Sequence, residues 1–456
     1  MPDTQPEPAP SPRPSVPGVA DAPHFRASFL GSIGFVAVLV SETLGNLPRL
    51  LRLAWVFRRR RARERRDGSV SEPQVVFVGD NMDAVHGISV SSHRMARDLT
   101  LLGTPTMLVG VSHSRNPPGE RGDDGRVRML PPACVQDLFG YEGQELAYPS
   151  VRAWCDLLRT RRVDVIEIET PGAFGLLALL SGLLLGIPVV HNYRTDLLAY
   201  TSLLLGDTLF VDGLHWFIRN FLRSGGRVIV PSLAFQEAAV GMGIPRSRIH
   251  LLPRGVDLSR FRPLAATPRC WTDLGAPEGP VVVYLGRVSR EKGLATLAEA
   301  FRRLLTTRPD AVLGIVGEGP YRAELEATLR DTGRTVFAGE VTGQELPRLL
   351  ASSTIMAFPS TTDTFGNAVV ESLACGVPAI VTNEGGPCEI VEDGRSGLVV
   401  PGHDPHSLCE AMERLLSDHA LRATLGLQAI ERARLYDPLA ANEAHRQVYR
   451  AVHLGR

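Results

Sequence analysis

Three glycine-bearing stretches in the C-terminal half carry charged residues at spacings that anion and sugar recognition can use. The first is Gly286-Arg287-Val288-Ser289-Arg290-Glu291-Lys292-Gly293, directly after the apolar run VVVYL. A glycine there lets the backbone turn close to a ligand. Arg287 and Lys292 set two cations beside the turn, which suits a diphosphate. Taken alone, the cluster reads equally well as a solvated surface loop. The second is Gly317-Glu318-Gly319-Pro320, a two-glycine turn of a kind common between strands and helices. The third is the most informative: Ser360-Thr361-Thr362-Asp363-Thr364-Phe365-Gly366-Asn367-Ala368-Val369-Val370-Glu371. A helix starting at 366–367 would turn its free amides and positive dipole end toward the strand tips, a ready anion site. Asp363, ahead of that helix, can accept from sugar hydroxyls. Glu371, within it, can take a ribose diol, as acidic residues do in nucleotide folds. Singly, Asp363 reads as an N-cap and Glu371 as a solvated helix residue; the ensemble favours a ligand site.

These loops meet only if parallel strands carry them, because ligands of open parallel sheets gather at the carboxyl ends of the strands. The C-terminal half supplies strand-like runs at 281–285, 311–316, 335–338, 355–359, 379–382 and 397–400. Helical patterns at 294–305, 321–329, 345–350 and 367–374 alternate with them, and Leu294, Leu297, Phe301 and Leu304 form one stripe. The N-terminal half repeats the scheme with runs at 74–79 (QVVFVG), 106–111, 163–168 (VDVIEI), 187–191 (IPVVH) and 227–230 (RVIV). Met95, Leu99 and Leu102 mark a helix over 91–102. Such Val-rich runs read as strands buried on both faces. The alternation predicts an α/β protein of two units, each with a parallel sheet, joined near residue 254.

A chain of 456 residues is too long for one compact domain. Lys+Arg and Asp+Glu both total 49, so the net charge is zero, which excludes nucleic-acid binding by bulk charge. Cys134, Cys155, Cys270, Cys375, Cys388 and Cys409 form no CxxC pair and have no histidine cluster nearby. They read as free thiols in a reducing cytosol, not as a structural zinc site. Residues 1–25 are rich in Pro, Ala, Ser and Asp; a tail of that composition cannot bury a core and is expected to be disordered.

Residues 26–66 are expected to associate with a membrane. An apolar run at 29–40 is interrupted by Ser41, Glu42 and Asn46, resumes at 50–57, and ends in Arg58, Arg59, Arg60, Arg61, Arg63, Arg65 and Arg66. The first run alone is shorter than the ~20 residues that span a bilayer. The arginines would hold the catalytic body on the cytoplasmic face. Charge that follows the apolar stretch, with no cleavage-site pattern, argues against a secretory signal. Arg49 and Arg52 can line one face of an interfacial helix, with Leu50, Leu53, Trp55 and Phe57 on the other. A true span and a helix docked on the protein's own body are the other two arrangements.

Together these residues resemble the family-4 retaining glycosyltransferases of the GT-B fold, and among them the bacterial mannosyl- and sulfoquinovosyl-type glycolipid transferases. The family's Glu, seven residues, Glu appears as Asp363 and Glu371 within TDTFGNAVVESLACGVPAIVTNEGGPCEIVEDGRSGLVV. PRGVDLSRFRP (253–263), YLGRVSREKGL (284–294) and VGEGP (316–320) also match. The N-terminal matches are looser: DNMDAVHGISVSSHRMARDL (80–99), TPGAFGLLAL (170–179) and HNYRTDLLAY (191–200). The resemblance covers 74–450. It implies an acceptor-side Rossmann-like domain at 73–253, a nucleotide-sugar-binding one at 254–436, and a helix within 437–456 that crosses back to the first.

The resemblance also implies roles. Arg287 and Lys292 bind the donor diphosphate, Glu371 the ribose and Asp363 the hydroxyls of the transferred sugar. Gly286, Gly317 and the backbone of Phe365, Gly366 and Asn367 approach the donor, Gly87 approaches it from across the cleft, and Glu340 and Val341 frame the base. Arg194 and Asp196 fall near the reacting sugar and acceptor. Two positions depart from the family: Asp363 stands where Glu is usual, and Arg194 where many relatives have His. Arg194 stays protonated and cannot act as a base, though it can bind a phosphate.

The implied reaction moves a sugar from GDP-mannose or a UDP-sugar to a hydroxyl of a lipid, polyprenyl-linked or glycan acceptor, with retained configuration. Fixed cations and the helix N-terminus would meet the charge on the leaving diphosphate while the ring becomes oxocarbenium-like. No cofactor and no essential metal are expected. GT-B folds also host epimerases and phosphorylases; a pyridoxal phosphorylase would need Lys292, the sole lysine, for its cofactor. The first turn, Gly79-Asp80-Asn81-Met82, lacks the GxGxxG of an NAD enzyme. A degenerate transferase kept as a membrane-anchored partner is the non-enzymatic alternative, and it would bind no nucleotide.

Overall fold

The computed structural model describes residues 36–67, 72–80, 82, 87–112, 126–137, 145–198, 209–264 and 269–455; the expected disorder of 1–25 lies outside them. The N-terminal half contains β1 (Val75–Val78), β2 (Thr106–Val111), β3 (Val127–Leu130), β4 (Pro132–Asp137), β5 (Glu145–Pro149), β6 (Val165–Ile168), β7 (Val189–Asn192), β8 (Arg227–Val230) and β9 (Ile249–Leu251). Seven of these form a parallel sheet in the order β3-β2-β1-β6-β7-β8-β9, and β4 pairs antiparallel with β5. The C-terminal half contains β10 (Val281–Leu285), β11 (Val312–Val316), β12 (Thr335–Gly339), β13 (Ile355–Phe358), β14 (Ala379–Thr382) and β15 (Gly397–Val400). They form a second parallel sheet, ordered β12-β11-β10-β13-β14-β15. The valine- and isoleucine-rich strands are buried on both faces because helices cover both.

In each sheet the strand order reverses beside its first strand, at β1/β6 and at β10/β13. Loops leaving two such strands diverge, and the crevice between them is where open sheets take ligands. The two α/β units, with 254 between β9 and β10, are therefore a pair of doubly wound domains.

The last helix, Pro438–His453, returns to the first sheet. Asp437 caps it by accepting from the amides of Leu439 and Ala440 at 2.9 and 3.0 Å, with Pro438 in the first turn. Val448, Tyr449 and Val452 pack beside Met95, Ala96 and Leu99 of the helix Gly87–Leu101, over Val75, Phe77, Val165 and Val190. The Tyr449 hydroxyl donates to Glu167, and Arg446 pairs with Glu72 at 2.6 Å.

The apolar N-terminal segment is helical from Val36 to Gly45 and again over Leu47–Asp67; residues 29–35 lie outside the described part. Leu50, Leu53, Ala54 and Phe57 are buried in the core of the first domain, against the helices Val151–Thr160 and Ala173–Leu185. The face expected to meet a membrane thus turns onto the protein, except Trp55, which points outward with Leu51 and Val56. The spacing explains the difference: positions 50, 53, 54 and 57 make one helical stripe, and 55 lies off it. No described helix is long and apolar enough to cross a membrane. Leu50 is 1% exposed. Leu50→Ala should therefore lower stability by about 2–5 kcal/mol, read as a fall in urea midpoint; an unchanged midpoint would mean the helix is not docked.

Candidate active site at the strand tips of the second sheet

The strand order sets the expected donor residues in a row. Glu340 and Val341 follow β12, Gly317 follows β11, the loop from Gly286 to Lys292 follows β10, and Asp363 to Asn367 follow β13. Backbone bonds lace neighbouring tips together. The Gly317 amide donates to the Gly339 carbonyl at 2.7 Å, the Gly286 amide to Val316 at 3.0 Å and the Val288 amide to Glu318 at 2.9 Å. Gly317 has φ +131°, and a β-carbon there would collide with the Gly286 carbonyl, so only glycine fits. The buried Tyr284 hydroxyl donates to the Arg287 carbonyl at 2.9 Å and steadies that loop, while the Arg287 side chain is exposed.

Lys292 ends a single 3-10 turn, Arg290–Lys292. Its Nζ donates to Asp363 Oδ1 at 2.9 Å, with side-chain exposures of 19% and 22%. Asp363 Oδ2 is shielded and has no hydrogen-bond partner among the described residues. The Thr362 hydroxyl donates to the Glu291 carbonyl at 3.2 Å, a second tie between the two loops. Behind them the Gly386 amide donates to the Asp363 carbonyl at 2.8 Å. A β-carbon at Gly386 would strike the Thr364 carbonyl. Phe365 anchors the turn by packing its ring edge-on to Tyr436 at 5.5 Å. Gly366, at φ +105°, then opens the helix Asn367–Ala374.

Across the cleft, the Arg194 carbonyl accepts from the Thr364 hydroxyl at 2.7 Å. The Arg194 guanidinium turns the other way, into the first domain. It lies 3.1 Å from Glu169 and 3.7 Å from Glu167, and it donates to Ser92 at 3.0 Å. Burial, then the neighbouring Glu169, push the Glu167 carboxyl up, against the pull of Arg194. Asp196 accepts from the Tyr193 hydroxyl at 3.4 Å.

A cavity of ≈ 280 Å³ lies between the helices Gly87–Leu101, Asn367–Ala374 and Pro438–His453. Asn367, Glu371 and Arg194 reach it, joined by Arg94 and Arg254. Gly87 opens the helix that supplies Arg94. Burial raises the Glu371 carboxyl to about 7, with Arg94 and Arg260 pulling the other way. Lys292, Asp363, Arg287, Gly317 and Glu340 do not line this cavity; they form a more open strip along the strand tips. The site is thus an enclosed zone around Glu371 continued by an open zone around Lys292 and Asp363. Sequence reasoning gave no role to Arg94, Arg254 or Gly386. The last two lie in the PRGVDLSRFRP and NEGGP stretches, so a clue to them was present.

Residues 279–418 match the family described as "Glycosyl transferases group 1", and residues 86–255 the "Glycosyl transferase 4-like domain". A GDP-mannose-dependent alpha-mannosyltransferase of Mycobacterium tuberculosis is 30% identical over 373 residues, spanning 77% of this chain and 92% of that protein. Sulfoquinovosyl transferase SQD2 of Arabidopsis thaliana is 30% identical over 286 residues, which cover 61% of this chain and about half, 54%, of that relative's length. The structure of Anabaena HepE in complex with UDP and glucose has a TM-score of 0.67 at 19% identity, covering 83% of this chain and 99% of that one. That last likeness concerns the fold alone. Matched in both halves and along nearly the whole mycobacterial relative, the chain belongs to the group 1, family-4-like glycosyltransferases of the GT-B fold.

Proposed function

We propose that the protein transfers a sugar from a nucleoside-diphosphate sugar to an acceptor hydroxyl with retention, at the tips of β10 and β13. The observation that carries this reading is the Lys292–Asp363 pair at the strand-order reversal, with Asp363 Oδ2 left free to accept. Lys292 and Arg287 hold the diphosphate, Asp363 accepts from the sugar hydroxyls, and Glu371 accepts from the ribose. The bond from the anomeric carbon to the diphosphate breaks as the bond to the acceptor oxygen forms on the same face. The acceptor's proton passes to the leaving phosphate. Positive charge already in place meets the developing negative charge without reorganisation. The two domains facing each other exclude water that would otherwise take the sugar.

GDP-mannose, the donor in the mycobacterial relative's name, is the first candidate, with UDP-sugars the second. A thermal-shift and hydrolysis screen against GDP-, UDP- and ADP-sugars tests this. Stabilisation by one nucleotide class, lost in Lys292→Ala, supports the reading. No stabilisation by any of them in folded protein would point to a degenerate transferase. Because the charge is met by fixed side chains, activity is expected to survive EDTA unchanged; a fall of about tenfold, restored by Mg²⁺, would assign the charge to a metal instead.

The acceptor we propose is a lipid-linked hydroxyl presented at the cytoplasmic membrane face. Leu51, Trp55 and Val56 are exposed on the docked helix, and the Arg59 guanidinium stacks over Trp55 at 3.6 Å. Apolar side chains beside cations suit an anionic bilayer surface. Deleting the segment would also strip Leu50 and Phe57 from the core, so the cleaner test is Leu51→Ser with Trp55→Ser. Co-sedimentation with phosphatidylglycerol vesicles should fall severalfold while the melting temperature holds; unchanged partitioning would remove this face from the membrane contact.

A further inference from the structure

We infer that the cavity at the domain junction is a phosphoryl-binding subsite, with Arg254 as its principal ligand and Arg94 facing it. The inference rests on the donor-transfer reading above.

Arg254 lies where the chain passes from the first domain to the second, and its backbone is pinned on both sides. Just before it, the Leu252 amide donates to Val230 at 2.9 Å; just after it, the Val256 amide donates to Tyr436 at 3.0 Å. Gly255 lies so close to Pro438 that a β-carbon would collide with it. A side chain on so fixed a backbone has a set direction, and the Arg254 side chain lines the cavity.

Its guanidinium there makes no hydrogen bond or ion pair among the described residues, and its Nε is shielded from water. Three other arginines in sheltered positions are engaged. Arg194 lies against Glu167 and Glu169, Arg432 donates to the Glu389 and Ile390 carbonyls at 2.6 and 2.7 Å, and Arg446 pairs with Glu72. A half-buried cation with no carboxylate in contact is costly to keep. Burial, then repulsion from Arg194, lower the Arg254 group to about 9 against the weaker pull of Glu169 and Asp363. Arg94, which also lines the cavity and pulls on Glu371, likewise makes no ion pair among the described residues.

Asn367 Oδ1, in the same cavity, is shielded and unpartnered. Its side-chain amide can turn to present its donors instead. Two guanidiniums and an amide around one space match a phosphoryl group, which takes several charge-assisted donors at once. Glu371 and Asp98 also line the space and would bias it toward a ligand that brings hydroxyls along with the phosphate.

The phosphoryl group has two sources, the donor's diphosphate or a phosphate on the acceptor, and Arg254→Gln in the full chain separates them. If the donor supplies it, the affinity for the free nucleoside diphosphate falls about tenfold or more. If the acceptor supplies it, nucleotide affinity is kept. Inorganic phosphate then stabilises the nucleotide-saturated wild type but not the variant. In either case the ligand-free variant should melt at or above the wild-type temperature, because an unpaired cation has gone. Wild-type affinity for both nucleotide and inorganic phosphate would overturn the inference. Arg94→Gln, read the same way, serves should Arg254→Gln not fold. Lys292→Ala is measured alongside. If it loses nucleotide while Arg254→Gln is indistinguishable from wild type, the subsite fails and the transferase reading stands. If the wild type binds no nucleotide, the transferase reading fails.

Discussion

Lys292→Ala is expected to lower kcat by about 10²- to 10³-fold, the usual result of removing one preorganised group that meets developing charge. It is the sole lysine, and it joins the loop after β10 to the loop after β13 through Asp363 at 2.9 Å. Removal has two effects of the same sign. The leaving diphosphate loses a cation, and the freed Asp363 carboxylate then repels it. Asp363→Ala should also be deeply impaired, through lost sugar contact. The double variant should be less impaired than the product of the singles, because each single leaves an unmatched charge behind. Lys292→Arg should not rescue, since a planar fork does not replace a compact ammonium beside one carboxylate oxygen. Steady-state kinetics with the stabilising nucleotide sugar is the measurement. A kcat within threefold of wild type for Lys292→Ala would remove the strip from the chemistry.

Glu371→Gln should stabilise the protein at pH 8 while weakening nucleotide binding. Burial raises the Glu371 carboxyl from 4.5 to about 7 in the folded chain. Between those values the folded state holds the proton more tightly than the unfolded state. Stability from this group is therefore lost as pH rises through the window, and the full penalty applies above it. Glu371 is only half-buried, so solvent screens part of it, leaving about 1–3 kcal/mol. Glutamine carries no charge at any pH and relieves that penalty. Its melting temperature should exceed wild type by a few degrees at pH 8 and match it near pH 4. A carboxylate accepts from two ribose hydroxyls where the amide offers one acceptor, so nucleotide affinity should drop about tenfold or more. For the wild type, affinity should weaken as pH falls below about 7. A variant less stable by the same margin at both pH values would mean that Glu371 is a packing residue instead.

The second domain was legible in the sequence almost strand by strand, because valine-rich runs between glycine turns admit few alternatives. Val281–Leu285, Ala379–Thr382 and Gly397–Val400 fall where their composition puts them. The first domain was less so. β3 (VRML), the β4–β5 ribbon (PACVQD, ELAYP) and β9 (IHL) are short and mix polar with apolar residues, and both strands of the ribbon carry a proline. They owe their strand form to neighbours instead of local propensity. That Lys292 and Asp363, remote in sequence, share one end of the sheet followed from motif and fold together; the ion pair between them did not. The fate of Arg194 did not. That its side chain is taken up by Glu167 and Glu169, and only its carbonyl faces Thr364, depends on which rotamer the buried carboxylates select. The docking of Leu50 and Phe57 shows the same limit. An apolar stripe announces that it will be covered, not by what.

The helix Pro438–His453 has a consequence for how the chain is made. One face of the first sheet is completed by Val448, Tyr449 and Val452, and among the described residues the hydroxyl donor of the buried Glu167 is Tyr449. The ribosome therefore releases the last piece of the first domain after every residue of the second. Until then the emerging first lobe carries an open apolar face and a Glu167 that lacks its Tyr449 donor, a natural target for chaperones. Loss of the segment from Val448 onward would thus be felt as instability far upstream of the break in sequence, at β1 and β6.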